Sequence, residues 1–442
     1  MKLSLQKNKL LDLNKIIMKL KIIFFLFPIV AFCQGYTSYF TGNTTNITTI
    51  PEFGVCLMGG ATEHDNAMRW LLQKANGGDI VVIRATGSNG YNDYFYSQLG
   101  VTVNSVETLV ITSVAGATSQ YVLDKVANAE MIWFAGGNQY NYVSYFKDNA
   151  LEDVINNHIN VKQAPIGGTS AGMAILGSNY FSAQNGSITS SQALANPYNS
   201  LATLGNNFLN IPILNNVITD THYDNPDRKG RHSSFLAKLK TDYNQNFYGI
   251  ASNEYVAVCI GNDGNAHVYG DYPNYQEFAY FIQPNCNNAS PIENCQNGQA
   301  LTWNNNGEAL KVYKVPGTMN GTNFFNITNW QSNIGTGGSW ENWFVNNGVF
   351  SSLDAVAPNC NLGIENVLEN KIIVSPNPIQ DSFRIDGINF GTVSIYDALG
   401  KLILNTNFSN GVSINSSMLI KGIYLLKIEY EEKISTQKII KL

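Results

Sequence analysis

A glycine-rich turn, Gly168-Thr169-Ser170-Ala171-Gly172, sets a serine in a G-x-S-x-G spacing. The residues before it, 164–166, read as a short apolar strand, and those after it as a small-residue helix. A serine on a sharp strand-to-helix turn is pushed out of the sheet, and small neighbours let the backbone close around it. The helix that follows offers amide donors and a positive dipole end where an oxyanion would form. This is a layout for nucleophilic acyl transfer, which also needs a base and an acid that orients the base.

Five histidines are candidates for the base. His64 and His158 fall on polar helical faces and are expected to meet solvent. His267 follows the turn GNDGN on an apparent surface strand, and His232 begins a helix with no strand to position it. His222 ends the apolar run NVITD, where active-site residues of a parallel sheet collect, and is followed by Asp224, Asp227, Arg228 and Arg231. For the orienting acid, Asp220, Asp224 and Glu254 all remain open. Glu254 interrupts the run FYGIASNEYVAVCI, read as one strand, where a carboxylate is costly unless it is paired.

The elements that must position these groups alternate. FGVCLMGG, DIVVIRATG, ETLVITS, EMIWFAGG and QAPIGG are apolar strands bounded by turns. Helical runs lie at 63–74, 119–127, 140–156 and 233–243. This is the pattern of an α/β fold with a mostly parallel sheet and helices on both faces. Residues 282–350 are rich in Asn, Gly and Thr and are expected to complete that domain. From Lys371 the chain is purely β-patterned, with short strands at the spacing of a small sandwich.

The strings FAGGNQ (134–139), IGGTSAGMA (166–174), ITDTHYDNPDRKGR (218–231) and GIASNEYVAV (249–258) resemble those of cyanophycinase and dipeptidase E. These are serine peptidases on a glutaminase-like α/β fold. The resemblance covers about 51–280 in order. It implies Ser170 as nucleophile, His222 as general base and Glu254 as its orienting acid. It also implies Gly137 and Ala171 as oxyanion donors and Gln139 as a substrate contact. The family carries an Asp and a Gln before the histidine and arginines after it. Asp220, Arg228 and Arg231 match; Thr221 replaces the Gln, and Pro226 stands where a further arginine often occurs. Asp220 is expected to meet a substrate guanidinium, and Arg228 and Arg231 substrate carboxylates. The implied substrate is cyanophycin, a polyaspartate with arginines on its β-carboxyls. Other Asp-containing peptides are the alternative, and a non-catalytic surface binding protein is a more distant one. A homodimer is implied by the family only.

VSPNP, then D-x-F-x-I, VSIYDALGKLI and GIYLLKI resemble the C-terminal sorting domain of the Bacteroidetes type IX secretion system. That implies the secretion machinery as a partner and a secreted or surface location. The N-terminus fits export. Lys15, Lys19 and Lys21 precede the apolar run 22–32, with a cleavage site near Cys33/Gln34, and Met18 is a plausible start. The expected organisation is a signal peptide (1–33), a peptidase domain (34–355), a linker (356–370) and a sorting sandwich (371–442).

The chain has 442 residues, a net charge of −5 and only 13% charged residues, with no basic run of about six or more, so no nucleic-acid partner is expected. No cysteine or histidine pair has zinc-ligand spacing, and neither metal nor cofactor is expected. Cys286 and Cys295 share a polar loop and could close a short disulfide. Cys56 and Cys259 lie in apolar runs and read as buried small hydrophobes.

Overall fold

The computed structural model describes residues 34–286, 291–360, 372–430 and 433–442. The signal peptide and most of the linker expected from the sequence lie outside these residues. The chain divides into two units between Cys360 and Asn361.

The first unit holds two sheets. The first six strands are β1 (Tyr36–Gly42), β2 (Val55–Met58), β3 (Asp79–Arg84), β4 (Ser105–Ile111), β5 (Met131–Phe134) and β6 (Ile166–Thr169). They are followed by β7 (Asn179–Phe181), β8 (Leu204–Asn206), β9 (Val217–Asp220), β10 (Tyr248–Ser252), β11 (Ala257–Ile260) and β12 (Asn265–Tyr269). The unit ends with β13 (Phe278–Pro284), β14 (Leu310–Pro316), β15 (Asn323–Asn326), β16 (Gly335–Thr336), β17 (Ser339–Asn346) and β18 (Val349–Ala355). The first sheet runs β1-β4-β3-β5-β6-β2-β11-β12-β15-β16, and the second β18-β17-β14-β13-β10-β9-β7-β8.

The strands from β4 to β2 of the first sheet pair in parallel. Residues of β2, β5 and β6 are buried along their whole length, the signature of strands covered on both faces. In the second sheet only β7-β9-β10 is parallel. The fold is therefore mixed α/β, with its parallel strands concentrated in one large sheet.

Several elements depart from the sequence reading. The strand before Ser170 is 166–169, displaced from 164–166, because its glycines pair with β2 and β5. The run 140–156 is two helices, Gln139–Phe146 and Ala150–Asn160. Asp148 between them adopts φ 58°, and Asn149 caps the second by accepting from Leu151 N at 3.0 Å. The run 247–260 is two strands in different sheets, β10 and β11, joined by Asn253-Glu254-Tyr255-Val256. Periodicity cannot see that break, because both strands are continuous apolar runs.

His158 is buried, with Nε2 3.1 Å from Pro165 O, and His64 is half-buried against Tyr269, so neither sits on an open polar face. His232 lies inside the helix Lys229–Tyr243, fully buried, its ring between Tyr223 OH and Ile218 O. Cys286 bonds to Cys360, not to Cys295, which stays a buried free thiol. Nearness in sequence misled here: β14 to β18 bring Cys360 back beside the end of β13.

The second unit has two antiparallel sheets, of three and four strands, between 373 and 441. They share one apolar cluster that includes Phe383, Ile395, Leu426 and Ile439.

Candidate active site

Ser170 sits between the end of β6 and the short helix Ala171–Ala174, with φ 52° and ψ −115°. Non-glycine residues rarely hold such a conformation, and sites that keep one are over-determined by their surroundings. Here the Ser170 amide donates to Met58 O at the end of β2 (3.0 Å), and Ala174 N donates to Ser170 O (2.9 Å). Gly172 is required by packing: a Cβ there would lie 2.2 Å from Phe134 O.

His222 follows β9, also with positive φ (45°). Its amide donates to Gly59 O at 2.8 Å. Its Nε2 is 2.7 Å from Ser170 Oγ, and its Nδ1 is 2.6 Å from Glu254 Oε1. Glu254 occupies the turn where the chain passes from β10 in one sheet to β11 in the other. Asp224 Oδ1 accepts from its amide (3.1 Å), and Asn225 Nδ2 reaches its second oxygen at 3.5 Å. The His222 hydrogen bond holds the Glu254 carboxyl below its usual range, so it is ionised at neutral pH. The structure thus brings Ser170, His222 and Glu254 into one hydrogen-bonded line. Asp224 is one link away, on the Glu254 backbone.

The cleft beside Ser170 has a volume of about 210 Å³. Gly137, Gln139, Ala171, Thr221 and Arg228 all line it, together with Phe181 and Ser187, which no sequence pattern singled out. Gln139 Nε2 donates to Phe181 O at 3.3 Å.

The charged floor differs from the expectation. Asp220 and Arg231 are buried and bonded to each other: Nε to Oδ2 at 2.9 Å and Nη2 to Oδ1 at 2.5 Å. Thr221 N adds a third bond to Oδ1 (2.8 Å). Burial alone would raise the Asp220 carboxyl, but the Arg231 guanidinium outweighs it and holds the group below its usual range. Neither side chain is free to meet a substrate group of opposite charge. A buried charge left unpaired is costly, and each is the other's neutraliser.

Arg228 is the remaining cation of the cleft. Its Nη1 donates to Thr221 O (2.8 Å) and lies 3.9 Å from Asp220. Its Nε has no hydrogen-bond partner among the described residues. Burial, together with the nearby positive charge of Arg231, makes this guanidinium less basic than usual.

Gly60 is the supporting residue that sequence reading missed. A Cβ on it would come within 2.4 Å of the His222 ring, and its carbonyl accepts from Tyr255 N (3.0 Å), next to Glu254. The glycine pair closing the strand FGVCLMGG was the available signal. No group of His, Cys, Asp or Glu among the described residues is arranged to hold a metal ion.

No curated protein matches the chain. Among solved structures it is similar to a peptidase from an acI-B1 actinobacterium, at 15% identity and TM-score 0.38, over 52% of this chain and 94% of that one. A protein assigned as a peptidase E from Listeria monocytogenes EGD-e matches at 18% identity and TM-score 0.31, over 48% and 95%. Dimeric latent PorU from Porphyromonas gingivalis matches at 17% and 0.14, over 37% and 18%. These likenesses carry no inference about function. The family models do: residues 84–267 match Peptidase family S51, and residues 374–442 match the Secretion system C-terminal sorting domain. The chain therefore carries a serine-type peptidase domain of family S51, the family of cyanophycinase and dipeptidase E, followed by a type IX sorting domain that directs it to secretion or the cell surface.

Proposed function

We propose that this exported peptidase cuts acidic peptide chains through an acyl-enzyme formed on Ser170, with cyanophycin as the first substrate to test. The observation that carries the reading is the continuous line Ser170 Oγ, His222, Glu254 at 2.7 and 2.6 Å, opening on the cleft.

In this mechanism Ser170 Oγ attacks the scissile carbonyl while His222 Nε2 takes its proton. Glu254 keeps Nδ1 protonated and stabilises the imidazolium. The tetrahedral oxyanion is held by the amides of Gly137 and Ala171. The Ser170 amide is unsuited to that role, since it already donates to Met58 O. His222 then gives its proton to the leaving amine. A water deprotonated by the same nitrogen attacks the acyl-Ser170 ester, releasing the acid and restoring Oγ–H. One such amide donor is worth about 3–4 kcal/mol at the transition state.

Arg228 is the group we assign to substrate carboxylate. In cyanophycin that is the free carboxylate of the side-chain arginine. A second reading, peptides with an unmodified aspartyl side chain, is favoured by the Asp220–Arg231 pair, because it leaves no free carboxylate on the cleft floor to receive an arginine guanidinium.

The test is incubation of the purified protein and its Ser170→Ala variant with cyanophycin and with a panel of aspartyl peptides, read by mass spectrometry. Release of β-Asp-Arg dipeptides by the wild type alone supports the first reading. Cleavage of aspartyl peptides alone moves the assignment to the second. Cleavage by both proteins alike removes Ser170 from the mechanism.

A further inference from the structure

Beneath the turn that carries Glu254 lie two cysteines that the peptidase chemistry does not use. β2 and β11 run antiparallel with Cys56 directly opposite Cys259. Both side chains are fully buried, and their Sγ atoms are 3.6 Å apart. The Gly59 amide donates to Val256 O (2.8 Å) in the same register. By the alternation of an antiparallel ladder, Cys56 and Cys259 are then a non-hydrogen-bonded pair, the class in which facing side chains come closest. Their Cα atoms are expected about 4.5 Å apart, within the range that a disulfide spans. Small side-chain rotations bring the two sulfurs to bonding distance without moving the strands.

The compartment supplies the other condition. A type IX sorting domain directs the chain to secretion or the cell surface, an environment in which disulfides persist, and the Cys286–Cys360 bridge is already one such bond. We infer that Cys56 and Cys259 close into a second disulfide during export, stapling β2 to β11 below the catalytic turn.

The oxidant is a donor disulfide of the thiol–disulfide exchange class. The thiolate of one cysteine attacks a donor sulfur, expelling the first donor thiolate and leaving a mixed disulfide. The thiolate of the other attacks the protein sulfur of that bond, forming Sγ–Sγ and expelling the second donor thiolate. In sum the two cysteines lose two electrons and two protons, and the donor disulfide becomes two thiols. Because burial pushes the Cys259 thiol well up, the exchange belongs to folding, before the strands are covered.

The staple has a functional position. Directly above it, Met58 O accepts from Ser170, Gly59 O from His222 and Gly60 O from Tyr255, so the relative register of β2 and β11 sets the backs of all three catalytic turns. The bridge also closes a loop of 203 residues, and in the chain-entropy account long loops gain most.

The test uses the full chain exported from cells, denatured without reductant in the presence of an alkylating agent, digested and mapped by mass spectrometry. The expected product is a linked pair of peptides holding Cys56 and Cys259, about two hydrogen masses lighter than the separate thiols, with Cys295 alkylated as the internal control. Alkylation of Cys56 and Cys259 as complete as that of Cys295 overturns the inference. A thermal scan with and without dithiothreitol is the second measurement. Reduction is expected to lower the melting temperature of the wild type more than that of a Cys56→Ala/Cys259→Ala chain, which keeps only Cys286–Cys360. Equal shifts in the two proteins count against the staple.

Discussion

Asp220 and His222 stand either side of Thr221, at the end of one strand, yet they belong to two different kinds of carboxylate pair. His222 and Glu254 are partly open, with side chains 24% and 22% exposed, and their line ends on a hydroxyl beside a cleft. Asp220 and Arg231 are each 5% exposed, and the pair is closed upon itself. Both hold a carboxylate below its usual range. Only in the first can a proton move to a reacting atom. A hydrogen-bonded carboxylate at the end of a parallel strand therefore does not by itself mark chemistry. What separates them is whether the pair has a free end.

Substitutions on the two pairs should sort accordingly. Ser170→Ala is expected to remove about 10⁴–10⁶ of kcat with the melting temperature unchanged or raised. Steady-state kinetics beside calorimetry measures both, and retained turnover would place the nucleophile elsewhere. Glu254→Gln keeps the shape but loses the charge, and kcat should fall about 10²–10⁴-fold, with little change in KM. A loss confined to KM would make Glu254 a substrate contact.

Arg231→Met acts on the closed pair and should act on stability first, costing about 3–5 kcal/mol by removing the bidentate partner of the buried Asp220 and leaving it only Arg228, at 3.9 Å, as a counter-charge. Denaturant titration gives the number. A fully stable variant with impaired binding would return Arg231 to the substrate. Arg228→Gln should weaken kcat/KM for acidic peptides by about 10–100-fold while sparing the fold, since it loses a charge-assisted contact without orphaning a buried carboxylate. Equal activity on neutral and acidic peptides, in wild type and variant alike, would break that assignment.

The smallest effect is in acid. Because the Asp220 carboxyl titrates lower folded than unfolded, its contribution is complete above the unfolded value of about 3.9 and drains away as pH falls through the folded one. Melting curves collected below about pH 4 should therefore fall less steeply with acid in Arg231→Met, which has lost that coupling, than in wild type.

Much of this was legible in the chain, for reasons that can be named. The elbow was visible because tight packing demands small residues locally, as Gly172 against Phe134 shows. The parallel strands were visible because burial on both faces writes a continuous apolar run. The place of Glu254 was not, because two buried strands joined end to end look like one longer strand. The closed Asp220–Arg231 pair was hidden for a different reason. Spacing of 11 residues says nothing about which way two charges turn, and from the sequence each is expected to meet a substrate group of opposite charge. Cys360 and Gly60 were missed because their partners are distant in sequence, and only topology brings them near.

Ser170 and His222 both keep left-handed backbone with side chains that resist it. A survey of thermostable variants would therefore be drawn to these two positions, since glycine relieves the conformation at either one. On the proposed mechanism, every such gain in endurance would be an inert protein. Heat resistance and turnover are set against each other at the same two backbone angles, and selection for hardiness alone would erase the enzyme while leaving its architecture untouched.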